Sequence, residues 1–128
     1  MIYLDSCIVI YAVEADDKTG EKVRAKLAQT DEVIATSPLV LHECLVGPLR
    51  DTDWELRDRY VAVYSQFKQL DLGLETFMRA AELRAASQMK TPDSIHVAAA
   101  QIAGCTEFWT NDHRLMKSTR GLGINILE

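Results

Sequence analysis

Cysteine is scarce in this 128-residue chain, with only Cys7, Cys44 and Cys105. The count is odd and no pair has CxxC spacing, which excludes a disulfide framework and a cysteine-based zinc site. A reducing, cytoplasmic setting is expected. Long hydrophobic runs are missing as well. No stretch approaches the ~18 to 20 unbroken apolar residues that a membrane span needs. The opening segment, MIYLDSCIVIYAVEADD, has no basic region and meets an acid at Asp5, so it does not read as a signal peptide. Glycine-rich phosphate loops of the GxxxxGKS or GxGxxG kind do not occur, and no nucleotide cofactor is expected. Basic charge is also short: 14 Lys and Arg face 19 Asp and Glu, a net charge of −5. Phosphate contacts want cations, so a broad basic surface for nucleic acid is excluded. A local one is not, because Lys90, Arg114, Lys117 and Arg120 gather in the last third of the chain.

What is present is the balance of a globular domain, 48% hydrophobic and 26% charged. No repeat, linker or low-complexity tract interrupts it, and one domain over residues 1–128 is expected. Short runs rich in β-branched and aromatic residues predict strands at residues 1–4, 33–36, part of 67–72, 107–110 and 124–127. Helical stretches lie between them. Ser37-Pro38 and Thr91-Pro92 each set a capping residue before a proline, so helices are expected to begin at Pro38 and Pro92. Arg50-Asp51-Thr52-Asp53 marks a break before a helix through Tyr60 and Gln66, and residues 74–89 form another amphipathic helix. Gly104 is expected to end the helix from Pro92. Unbroken apolar strands alternating with helices predict a three-layer α/β/α sandwich around a central, mainly parallel sheet of about five strands.

In such a sheet, ligands bind beyond the carboxyl ends of the strands. Asp5 ends the first predicted strand and Asp112 follows the fourth, in Trp109-Thr110-Asn111-Asp112. Asp93 falls in the first turn of a helix, where free N–H groups favour a negative charge. Right-handed crossovers bring helix starts to that same edge. Glu43 shares its helical face with Leu39, Val40, Val46 and Gly47, and an acid among apolar groups is neutral, paired or bound to a cation. Taken singly, each acid has an ordinary role: Asp5 and Asp112 as caps or turn formers, Asp93 at a helix dipole, Glu43 in a salt bridge. Together they need compensation. Two carboxylates ~4 Å apart repel by roughly 4 kcal/mol at an effective dielectric near 20. A hard divalent cation, one or two ions of Mg²⁺ or Mn²⁺, relieves that repulsion and activates water toward a phosphodiester.

At this point the chain resembles the PIN-domain family, and within it the VapC-type toxins. The resemblance rests on Ile2-Tyr3-Leu4-Asp5-Ser6, on Leu41-His42-Glu43, on Thr91-Pro92-Asp93-Ser94-Ile95-His96-Val97-Ala98-Ala99-Ala100, and on Thr110-Asn111-Asp112-His113-Arg114-Leu115. Four short motifs in this order cover nearly the whole chain. The resemblance implies a PIN-like fold and a Mg²⁺- or Mn²⁺-dependent endoribonuclease that hydrolyses structured RNA, such as a tRNA or a ribosomal RNA loop. It also implies a homodimer and neutralisation by a cognate antitoxin. Asp5, Glu43, Asp93 and Asp112 would be the catalytic metal ligands, supported by the hydroxyls of Ser6 and Thr110. Lys90, Arg114 and Lys117 are the candidate RNA contacts.

One departure from the family pattern is Cys7, where an asparagine is common. A thiol cannot replace the amide's hydrogen bonds and is a poor partner for Mg²⁺. With Cys44 beside Glu43, thiol modification is expected to impair cleavage. His96, on the same helical face as Asp93, is expected to be hydrogen-bonded beneath the site rather than to ligate metal. Trp54, Tyr60 and Tyr64 are read as core or dimer packing rather than as base-stacking groups. Two other classes compete with the nuclease reading. One is a PIN-like module that only binds RNA or protein, which retention of all four acids opposes. The other is a different carboxylate enzyme. A dehalogenase-type phosphatase would want an acid where Cys7 stands, and the acid pattern of a receiver domain is not found.

Overall fold

The computed structural model describes residues 1–119, 121–124 and 126–127. Strand β1 (Ile2–Leu4) is apolar and wholly buried. Helices α1 (Ser6–Glu14) and α2 (Lys18–Gln29) lead to β2 (Ile34–Thr36). Helices α3 (Pro38–Arg50) and α4 (Trp54–Gln66) then lead to β3 (Lys68–Gln69). After α5 (Leu74–Ala86) and α6 (Thr91–Ile102) come β4 (Glu107–Trp109), α7 (His113–Ser118) and β5 (Gly123–Ile124).

The strands form one sheet in the order β3-β2-β1-β4-β5, and every neighbouring pair is parallel. The expected α/β/α architecture is therefore the one observed. The chain builds outward from β1 to β3 and then returns to β4 on the other side of β1. Its direction reverses between β1 and β4, and such a reversal opens a crevice beyond the carboxyl ends of those two strands. Right-handed crossovers put α1 to α4 on one face and α5 to α7 on the other. The packing agrees: α1 lies against α2 and α3, α3 against α4, and α5 against α6.

Local signals explain most boundaries. Pro38 opens α3, and Thr52 adopts a positive φ of 50° in the break before α4, whose first turn is capped by Asp53. Gly104 (φ 75°) ends α6 in a Schellman turn: Cys105 N–H donates to Ala100 O at 2.9 Å and Gly104 N–H to Gln101 O at 3.1 Å.

Three expectations need adjustment. Thr91 is the first helical residue of α6 rather than its cap, and that cap position is held by Lys90. Helix α5 stops at Ala86, where Ser87 Oγ takes over by donating to Leu83 O. The last strand lies earlier than residues 124–127, because its register partners Phe108 and Trp109 meet Gly123 and Ile124. Ile126 instead turns its side chain into the core, and Asn125 lies outside the described residues.

Candidate metal centre

Asp5 follows β1 at the reversal point and caps α1. Its Oδ1 accepts from Ser6 N–H at 2.8 Å and its Oδ2 from Thr110 Oγ1 at 2.9 Å. Thr110, fully buried just beyond β4, also accepts from Asp112 N–H at 3.1 Å. Asp112 in turn caps α7, taking the N–H of Arg114 at 3.0 Å. The two strand-end acids are thus joined through one hydroxyl across the crevice. Both also fill the capping roles that the sequence allowed them.

Glu43 arrives from the second turn of α3. Its carboxylate meets Nε2 of His96, which projects from the second turn of α6 and is completely buried. His96 Nε2 also stands 4.0 Å from Asp5 Oδ1. The other ring nitrogen, Nδ1, lies 2.7 Å from the hydroxyl of Tyr3, and that hydroxyl is 2.8 Å from Ser37 Oγ. One ligand atom each from Asp5, Glu43 and His96 falls within 4.8 Å of the others. At that spacing two ionised carboxylates repel by roughly 3 kcal/mol at an effective dielectric near 20.

Asp93 and Asp112 sit next to this group. They line an open pocket of about 220 Å³ together with Lys90 and Arg114. Burial pushes the Asp93 carboxyl above its ordinary pKa, and the negative charges of Asp5 and Asp112 push it further. Glu43 adds a smaller push in the same direction. Asp93 therefore feels the other three predicted acids, and the four are arranged as an inner pair, Asp5 and Glu43 with His96, and an outer pair, Asp93 and Asp112. The donor set suits a hard cation: carboxylate oxygens converge, and both oxygens of Asp5 already have one donor fixing their direction.

A family model described as PIN domain matches residues 2–121. The chain belongs to the PIN-domain family. Solved structures of similar fold include a toxin–antitoxin complex from Klebsiella pneumoniae, at 20% identity and TM-score 0.82 over 98% of both chains. A second is VapC20 of Mycobacterium tuberculosis, a sarcin–ricin loop cleaving toxin, at 15% identity and TM-score 0.78 over 92% of this chain and 95% of that one. A third is VapBC2 of Rickettsia felis bound to a promoter DNA fragment, at 23% identity and TM-score 0.75 over 98% of both chains. No curated protein matches the sequence significantly.

Within this PIN domain the remaining expected residues divide. Thr110 donates to Asp5 through its hydroxyl, whereas Ser6 contributes its backbone N–H. Lys90 and Arg114 line the pocket, and Arg114 Nε is 3.7 Å from Asp112. Lys117 is exposed on α7 and is not part of the pocket lining, and Arg120 lies outside the described residues. Cys7 Sγ stands 4.0 Å from Thr110 Oγ1, and its thiol is pushed up to about 12 by burial and then by Asp5. Cys44 is buried, and its thiol is likewise pushed up to about 12, by burial and then by Glu43. Tyr60 is core, its hydroxyl bonded to Glu14, while Trp54 is half-exposed beneath the guanidinium of Arg57. Tyr3 and Ser37 were not anticipated from the sequence. A tyrosine inside an apolar strand and a serine before a proline both have ordinary explanations, and only the fold brings them to His96.

Proposed function

We propose that this PIN domain is a divalent-metal-dependent endoribonuclease and the toxin half of a toxin–antitoxin pair. The observation that carries the reading is the convergence of Asp5 and Glu43 on one rim, with Asp93 and Asp112 in the adjoining pocket, where burial and then the charges of Asp5 and Asp112 hold Asp93 above its ordinary pKa. Four acids facing one another are unfavourable in the bare protein and favourable once a cation is shared. Asp5, Glu43, Asp93 and Asp112 would hold Mg²⁺ or Mn²⁺, one ion or two. When bound, such an ion supplies an activated water and charge stabilisation at a phosphodiester.

The chain's own groups do the rest. Thr110 and the N–H of Ser6 keep the Asp5 oxygens aimed at the rim. Lys90 and Arg114, at the mouth of the pocket, attract the phosphate backbone of the RNA, with Lys117 as a further cation on the exposed side of α7. Structured RNA, a tRNA or ribosomal RNA loop, is the substrate class, in keeping with the sarcin–ricin loop cleavage named for the Mycobacterium tuberculosis structure.

The partner reading has two supports. Similar folds have been solved within toxin–antitoxin complexes. In addition, α3 and α4 expose Val46, Leu49, Trp54 and Val61, while α5 exposes Leu74, Phe77 and Met78. Apolar faces of this kind serve a homodimer and an antitoxin. A reducing cytoplasm fits the three free cysteines, and no helix among the described residues is long and apolar enough to cross a membrane.

The deciding experiment is cleavage of total cellular RNA by antitoxin-free protein in Mg²⁺, Mn²⁺ or EDTA. Asp5→Asn and Asp93→Asn run alongside. Discrete fragments that require metal and vanish in both variants support the proposal. RNA that is bound but left intact would move the protein to the binding-only class.

A further inference from the structure

Asp5 and Asp112 are fixed by backbone N–H groups and by Thr110. Among the described residues no backbone N–H anchors Glu43 in this way. It stands at the end of a flexible side chain whose solvent exposure is 30%, and its carboxylate is held by His96 Nε2. Behind His96 the contacts continue inward to Tyr3 and then to Ser37, both fully buried.

Ser37 is the informative member. It occupies the N-cap position of α3, where a serine ordinarily gives its hydroxyl to the first turn, yet it makes no side-chain capping bond. Its Oγ lies instead 2.8 Å from Tyr3 Oη. A helix cap has been given up and the hydroxyl turned into the core.

The direction of the chain follows from its members. The buried Tyr3 hydroxyl lies between Ser37 Oγ and His96 Nδ1 and has one proton to give and lone pairs to accept with. Nε2 faces a carboxylate, which accepts, so the ring N–H on that side donates to Glu43 and Nδ1, 2.7 Å from Tyr3 Oη, is left to accept the phenol O–H. Ser37 donates to Tyr3 from behind. Every link then points the same way and ends on a carboxylate, an arrangement in which each bond polarises the next.

We propose that Ser37, Tyr3 and His96 form a positioning relay that aims Glu43 at the cation site and keeps His96 itself out of the ligand set. The inference rests on the metal-nuclease reading of the site. By distance alone His96 would count as a ligand beside Asp5 and Glu43, and a nitrogen donor would favour borderline ions such as Zn²⁺. With its Nε2–H committed to Glu43, the ring offers no lone pair there. The donor set is then all oxygen, the set that suits Mg²⁺ and Mn²⁺.

The test is Mn²⁺ titration calorimetry on the full chain, comparing wild type with Ser37→Ala, Tyr3→Phe, His96→Gln and Asp5→Asn. Ring-nitrogen NMR of His96 is recorded with and without Mg²⁺. The relay predicts that Ser37→Ala and Tyr3→Phe each weaken Mn²⁺ binding on the order of 10-fold. His96→Gln, whose amide can donate from the position of Nε2, retains binding within about that factor. The His96 ring stays the Nε2–H tautomer in both spectra. The relay is overturned by unchanged affinity in both Ser37→Ala and Tyr3→Phe, by total loss in His96→Gln, or by an Nε2 that loses its proton to the metal. Should Tyr3→Phe fail to fold, Ser37→Ala, which leaves the aromatic core untouched, decides alone. A wild type that binds no Mn²⁺, or binds it equally after Asp5→Asn, overturns the metal reading itself and the relay with it.

Discussion

Thr110 Oγ1 donates to Asp5 Oδ2 at 2.9 Å, across the crevice between β4 and β1. The same oxygen accepts the N–H of Asp112 at 3.1 Å. One buried hydroxyl therefore sets both the direction of the Asp5 carboxylate and the start of α7.

Thr110→Val keeps the shape and removes that hydroxyl. Asp5 loses a donor and the Asp112 N–H loses its acceptor. We expect a stability loss of about 1–3 kcal/mol, from the buried groups left unpaired. Mn²⁺ affinity should drop about 10-fold or more. Thermal melts in EDTA and calorimetric titration measure the two effects separately, and an unchanged affinity would remove Thr110 from the site.

Metal should stabilise the wild type by mass action. At about 100 times its dissociation constant, Mn²⁺ adds about 2.7 kcal/mol to the folded state. Asp5→Asn is expected to abolish that gain, and RNA cleavage with it. A melting-temperature rise in Mn²⁺ that persists in Asp5→Asn would place the ion elsewhere.

Asp93 gives a pH dependence of known sign. Its folded-state pKa is raised, so the folded protein holds this proton more tightly than the unfolded chain. Ionising Asp93 therefore costs stability, beginning as the pH passes its ordinary value of 3.8 and complete above the raised folded value. In EDTA at neutral pH, Asp93→Asn should melt higher than wild type and show a flatter fall between acidic and neutral pH. A lower melting point for Asp93→Asn would instead assign this acid a structural role at the start of α6.

The thiols are expected to be slow. Cys7 and Cys44 are both pushed up to about 12, so at pH 8 almost none of either is thiolate. Iodoacetamide should label the native protein far more slowly than the unfolded chain. Because Cys7 lies 4.0 Å from Thr110, any label that does enter there should impair cleavage. Full alkylation of both thiols with cleavage unchanged would contradict this.

Gly20 offers a control that is independent of metal. A Cβ at this position would stand 1.9 Å from the carbonyl oxygen of Ala15, where α2 crosses the end of α1. Gly20→Ala should cost about 1–3 kcal/mol from overpacking while leaving Mn²⁺ affinity unchanged, as seen by denaturant melts and calorimetry.

Much of this molecule is written locally. Ile2 to Leu4, Ile34 to Thr36 and Glu107 to Trp109 announce buried parallel strands because both of their faces meet helices. Pro38 and Gly104 announce helix ends because one presets φ and the other accepts a positive φ. Asp5 and Asp112 were readable as rim residues on the same basis, since a residue just past a parallel strand has nowhere else to go. Glu43 was detectable only as an acid among apolar neighbours. His96 was visible only as a residue sharing the face of Asp93.

Tertiary structure decided how these pieces divide. It set Glu43 against His96, 53 residues apart, and left Asp93 and Asp112 in the adjoining pocket with Lys90 and Arg114. It also drew Ser37 away from its helix cap to Tyr3. Strand ends and caps follow from the conformational preferences of a few neighbouring residues, and a sequence displays those directly. Which side chains on two helices meet depends on how each helix is rotated and seated against the sheet. That seating is settled by the packing of the whole core, so no local stretch of sequence contains it.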